Sequence, residues 1–197
     1  MKEERDYVRD LAEIRAMMER TSKFLSLSGW AGIMAGLYGL AGAYLAYKFI
    51  YLKSGEFTYS PLKPWTGLDL LVSLTILGLI VLVLALSTAV ILSRRKARKR
   101  GEAIWNTTSR RLLMNMSVPL LAGGLLILML ISKGYVGFVA PFSLIFYGLA
   151  LYNASNFTYG EVRMLGLLEI LLGLFGMYFV DYGLICWALG FGVLHIV

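Results

Sequence analysis

Two ionisable side chains stand alone in apolar sequence: Glu169 in LGLLEILLGLF (165–175) and His195 in the closing GVLHIV. A carboxylate and an imidazole can pass a proton, hold a cation or select a ligand, and they can also do no more than pin two helices together. A turn at Asp181 leaves Glu169 twelve residues before it and His195 fourteen after it. On antiparallel helices rising about 1.5 Å per residue these are about 18 and 21 Å, so the spacing predicts similar depths. Positions 162, 166, 169, 173 and 176 share a helical face that carries Gly166, Gly173 and Gly176. The carboxylate is therefore expected to enter a glycine-lined contact with the last helix. His195 is expected to share its own face with Ala188 and Gly192. Such a pair settles as carboxylate plus imidazolium or as neutral hydrogen-bonded partners. Asn115 and Asn153, near helix ends, are candidates to extend a polar patch, with end-capping as the competing role.

The chemistry that is missing narrows the choice. The chain has no H-E-x-x-H, G-x-S-x-G or Walker A pattern and no Cys/His cluster. One histidine excludes a multi-histidine metal or haem site within one chain, and Cys186, as the single cysteine, forms no internal disulfide. Enzymatic function is the weakest class, and neither a cofactor nor a metal is expected.

The elements that must position these side chains follow from hydropathy. Apolar residues make up 58% of the 197 positions and charged residues 16%, too little polarity for the surface of a soluble domain. Apolar runs predict six transmembrane helices near 24–50, 67–92, 112–131, 135–152, 162–180 and 182–197. Each approaches the roughly 20 residues that cross a bilayer, the last falling short. The unflanked end of that sixth run is read as a natural chain that continues past Val197. The connections SKG (132–134) and DYG (181–183) are too short for anything but antiparallel neighbours. The expected fold is an all-α membrane protein, a bundle of three antiparallel hairpins.

Gly29, Gly32, Gly36, Gly39 and Gly42 fall near one face of helix one, which predicts a central position with close backbone approach. Helix two, rich in Leu, Val and Ile around a lone Gly78, is expected to face lipid. Pro119 and Pro141 are expected to kink helices three and four. Thr158 with Glu161 fits a capping box that opens helix five, as Thr66 with Asp69 does for helix two.

Charge orients the bundle. Of the 19 Lys and Arg, six precede Phe24, eight lie between Leu92 and Leu112, and Arg163 follows helix four, against Lys48, Lys53, Lys63 and Lys133 on the other side. The positive-inside bias places both chain ends and a basic loop, 93–111, in the cytoplasm. That loop accounts for the net charge of +7 by fixing topology and touching anionic headgroups, with no base-reading motif to suggest nucleic acid. Residues 1–23 are expected to form a separate cytoplasmic amphipathic helix with balanced charge, whose stripe of Tyr7, Leu11, Ile14 and Met18 can pack on the bundle, pair with its copy or dock a protein partner.

The segments AMMERTSKFLSLSGWAGIMAGLYGL, TSRRLLMNMSVPLLAGGL, APFSLIFYGLALYNASNFT and LICWALGFGVLHIV resemble a family of uncharacterised integral membrane proteins of Bacteroidota, over nearly the whole chain. The resemblance implies a bacterial inner-membrane location and a longer natural chain, and it brings no catalytic or binding residues. Two functions remain. One is a non-enzymatic regulatory, sensory or assembly subunit that acts through residues 1–23, as a homo-oligomer or with a partner. The other is a small carrier or proton-coupled channel that uses Glu169 and His195.

Overall fold

Long apolar runs have few ways to satisfy their backbone polar groups away from water, and the helix does so within each segment. The computed structural model describes residues 29–54, 68–99, 101 and 105–197. They form α1 Gly29–Ser54, α2 Leu68–Lys99, α3 Thr107–Ser132, α4 Val139–Ala154, α5 Gly160–Tyr178 and α6 Gly183–Trp187, the last continuing as a π-helix over Ala188–Leu194. Short 3-10 turns, Val136–Phe138, Ser155–Phe157 and Val180–Tyr182, lead into α4, α5 and α6. No strand occurs among the described residues. Four stretches, Gly29–Ile50, Val72–Lys99, Thr107–Ser132 and Val136–Phe157, are long and apolar enough to cross a membrane. The fifth helix carries Glu161, Arg163 and Glu169, and the sixth, Val180–Leu194, is shorter.

Local chemistry explains the boundaries. Asn106 caps α3: its Oδ1 accepts from Ser109 N at 2.8 Å and Ser109 Oγ accepts from Asn106 N at 2.9 Å. At the other end Gly134, with φ 78°, allows Tyr135 N to reach Leu130 O and Gly134 N to reach Ile131 O, both at 2.9 Å. This left-handed glycine closure ends α3 abruptly and turns the chain into α4. The basic segment expected as loop is largely helix. Ser93–Lys99 prolongs α2, because Arg, Lys and Ala are strong helix formers and cations favour a helix C-terminus. Thr107–Arg111 already belongs to α3.

Two further expectations change. Pro141 does not interrupt α4; it occupies the first turn, where no intrahelical donor is lost, while Pro119 does lie inside α3. Thr158 is no capping-box residue, since its hydroxyl donates to Ala154 O at 3.1 Å and Tyr159 holds the cap position. Thr66, with the rest of 55–67, and the whole segment 1–28, including Tyr7, Leu11, Ile14 and Met18, lie outside the described residues.

The tightest packing joins α4 to α5, where Leu144, Ala150 and Glu169 are fully buried. Helix α1 lies between α2 and the π-helix. Gly42 meets Val81 of α2 and Tyr38 Oη lies 3.2 Å from Thr88 Oγ1. Gly32, Gly36 and Gly39 meet the backbone of His195, Gly192 and Phe191 respectively. Gly29 does not share that contact: a Cβ there has nothing within 4 Å among the described residues. Helix α2 is peripheral, and its apolar faces, such as Leu79, Val83 and Leu86, are exposed.

These contacts predict a sharp contrast between glycines. A Cβ at Gly39 falls 2.5 Å from Phe191 O and 2.9 Å from its carbonyl carbon, backbone atoms that cannot rotate away. Gly39→Ala should therefore destabilise by about 1–3 kcal/mol. Gly78→Ala, with nothing within 4 Å, should be neutral or stabilising by up to about 1 kcal/mol through helix propensity. Thermal unfolding in detergent separates the two, and equal midpoints would show that the α1 contact is dispensable.

Candidate functional site

Glu169 lies near the middle of α5, and the close approach of α4 and α5 removes it from solvent. Gly148 and Gly166 bring the two backbones together on one side of it, and Gly173 meets Ile145 and Pro141 on the other. The expected glycine-lined contact is therefore made chiefly with α4 rather than with the last helix. Of the three glycines, Gly176 is the one that reaches the last helix, at Cys186. The physical reason is size: α4 offers Gly148 and the compact Pro141 where α5 presents Gly166 and Gly173.

A glycine of the last helix receives the carboxyl. A Cβ at Gly190 would lie 2.5 Å from Glu169 Oε2 and 2.5 Å from Leu144 Cδ2, so the carboxyl occupies the space that this glycine leaves between α4 and the π-helix. The π-helix also changes which face His195 occupies. In an i→i+5 helix the ring returns to Gly190 and Phe191, not to Ala188 and Gly192 as regular helical spacing predicts. His195 Nδ1 lies 2.9 Å from Gly190 O and 3.5 Å from Glu169 Oε1. Gly192 instead faces Leu40 of α1.

Tyr147 of α4 completes the constellation, with its hydroxyl 2.9 Å from His195 Nε2 and its ring stacked on the imidazole at a centroid distance of 5.5 Å. Phe191 and Trp187 continue the aromatic wall, the Phe191 ring centroid lying 4.9 Å from that of Tyr147 and 5.0 Å from that of Trp187 as in a packed core. The signal for this tyrosine in the sequence is a phenol hydroxyl in mid-span, and such a group needs a partner when buried.

The hydrogen-bond pattern assigns the imidazole. A carbonyl oxygen only accepts, so Nδ1 carries the proton donated to Gly190 O. Nε2 then accepts from the Tyr147 hydroxyl in the neutral ring, or donates to the same oxygen in the charged ring. A rotating hydroxyl serves both states without moving a heavy atom. Glu169 differs: neither carboxyl oxygen has a hydrogen-bond partner among the described residues, and its side chain is 0% exposed. An unmet buried polar group costs about 1–3 kcal/mol, so this position is held against its own stability.

Asn115 and Asn153 do not join the pair. Asn115 is exposed and its Nδ2 donates to Arg111 O at 2.8 Å, within its own helix. Asn153 sits at the end of α4, where its backbone carbonyl accepts from Asn156 Nδ2 at 3.3 Å. Both lie near helix ends, away from Glu169 in the middle of α5, and the Asn115 side chain finds local backbone first. Among the described residues no group of three or more His, Cys, Asp or Glu side chains could hold a metal ion. Glu169, His195 and Tyr147 are groups that can exchange protons, and the same contacts can also hold the helices together. No protein-family model matches this chain, and neither do the curated proteins or the solved structures.

Proposed function

We propose that this chain is a non-enzymatic integral protein of the bacterial inner membrane that acts as a small proton-coupled carrier, with Glu169 and His195 as its proton-exchanging pair. The observation that carries the reading is the fully buried carboxyl with no hydrogen-bond partner, 3.5 Å from an imidazole nitrogen. Intramembrane ionisable groups are costly and mark proton and ion pathways. A π-helix at the same place is a further sign, since such segments concentrate at functional sites. The regulatory-subunit reading depends on residues 1–23, which lie outside the described residues.

The proton steps follow from the donor pattern. A proton arriving through the Tyr147 hydroxyl adds to Nε2, and the Nδ1 proton is then free to pass to Glu169 Oε1. The imidazole is then protonated at Nε2 with Nδ1 bare opposite Gly190 O, so the pair resets when Glu169 releases its proton, Nδ1 regains one and Nε2 returns its own to the Tyr147 oxygen.

In this reading the helices cross as three hairpins with both ends cytoplasmic. A 32-residue α2 is about 48 Å long, well beyond a hydrocarbon core of about 30 Å. Its Arg94–Lys99 end therefore emerges on the cytoplasmic side, beside the exposed Trp30. Exposed Tyr178, Phe179 and Tyr182 gather at the opposite end of α5, as aromatic residues do at a membrane interface.

The test is proton flux in liposomes holding the purified protein and an internal pH dye, under an imposed gradient. Glu169→Gln keeps the shape of the side chain and removes its titratable proton. Flux should fall about 100-fold, the scale for deleting a proton-transfer group. Equal flux from the two proteins would remove this reading.

A further inference from the structure

Away from the Glu169 site, an open groove of about 850 Å³ lies between the first residues of α1 and the last turns of α2. Arg98 of α2 and Trp30 of α1 also line it, and its main α2 wall is formed by Leu92, Arg95, Lys96 and Lys99. The spacing of these α2 residues puts them on one helical face, ordered from apolar at Leu92 to cationic at Lys99. Trp30 is 69% exposed, and Arg95 and Lys99 are exposed. Lys96 also leans over the Tyr159 ring at 5.8 Å, tying this end of α2 to the turn before α5.

A ligand matching that gradient is apolar at one end and multiply anionic at the other. We infer that this groove binds the headgroup of an anionic phospholipid carrying more than one negative charge, with Leu92 and Trp30 against its glycerol and acyl carbons and Arg95 and Lys99 on its phosphates. The occupant is argued from charge complementarity and from depth. On the membrane placement proposed above, on which this inference rests, α2 leaves the hydrocarbon near Leu92. The cations then stand at the level of the cytoplasmic phosphates, where basic clusters between helix ends select such lipids. Arginine supplies the bidentate phosphate geometry that a diffuse attraction does not need.

Native mass spectrometry of the full chain, titrated in neutral detergent, tests this. Diphosphatidylglycerol should bind as a resolved single adduct well before phosphatidylcholine does, and inorganic pyrophosphate should not displace it. The double variant Arg95→Gln, Lys99→Gln should bind about 30-fold more weakly, about fivefold for each cation lost. Arg110→Gln, Arg111→Gln, which removes the same charge from the start of α3, should bind as the unaltered chain does. Equal weakening by both double variants would reduce the attraction to net charge and overturn the site. Binding of pyrophosphate with the same affinity would overturn the lipid assignment. Lipid binding that appears only after the acidic residues among 1–23 are neutralised in the full chain would give the groove to that segment. A chain that needs no detergent to stay soluble would sink the membrane reading itself, whereas one that needs detergent and binds no lipid would sink this inference alone.

Discussion

Gly166→Leu is expected to separate α4 from α5 and leave little folded protein in detergent. A Cβ at Gly166 would lie 2.8 Å from Gly148 O and 2.8 Å from Tyr152 N. A Cβ at Gly148 would lie 2.6 Å from Gly166 O and 2.9 Å from Ile170 N. At Gly166 both atoms nearer than 3 Å belong to backbone, so no side-chain rotation relieves the clash and the helices must move apart. Membrane helices gain stability from this kind of approach, because lipid supplies no hydrophobic drive for their association. Overpacking a tight contact costs about 1–3 kcal/mol and more where backbone blocks relaxation, a large part of the marginal stability of a domain. Gly124→Leu is the matched control, since a Cβ there meets nothing within 4 Å, and it should remain folded. Thermal unfolding and monodispersity in detergent read both. A Gly166→Leu protein as stable as Gly124→Leu would show that the α4–α5 contact does not hold the bundle.

Glu169→Leu is expected to make the protein more stable and inactive in proton flux. The carboxyl is buried with both oxygens unpartnered, so its removal relieves a desolvation penalty of about 1–3 kcal/mol. Leucine fills a similar volume between Leu144 and Gly190, as when a buried ion pair gives way to an apolar residue. The imidazole loses nothing it depends on: Nδ1 keeps Gly190 O and Nε2 keeps the Tyr147 hydroxyl, both at 2.9 Å. A pair that merely joined helices would behave in the opposite way, because cutting a stabilising pair lowers the unfolding midpoint. Thermal unfolding beside the flux assay distinguishes the two. A lower midpoint for Glu169→Leu would identify Glu169 as interhelical glue and remove it from any proton pathway.

How much was legible beforehand depended on the range over which each property acts. Hydropathy is a local sum, so six helices, their approximate limits and the peripheral character of α2 could be read from composition alone. The isolation of Glu169 and His195 was equally visible, because an ionisable residue in an apolar run stands out without any knowledge of neighbours. Counting residues from the turn at Asp181 placed them at similar depth, and the side chains do meet at 3.5 Å.

Partners were the harder part. The Gly166–Gly173 face packs mainly on α4, since which of two flanking helices a glycine stripe meets depends on the small residues those helices present at the same height. The widening of the last helix over Ala188–Leu194 turned His195 onto Gly190 and brought Tyr147 onto its other nitrogen. Regular 3.6-residue spacing cannot anticipate that shift, because the π-helix is selected by packing against α1 and α4. Hydropathy periods thus specify which segments become helices, while the meeting of Glu169, His195 and Tyr147 comes from three helices approaching at glycines, an energy term that no single segment contains.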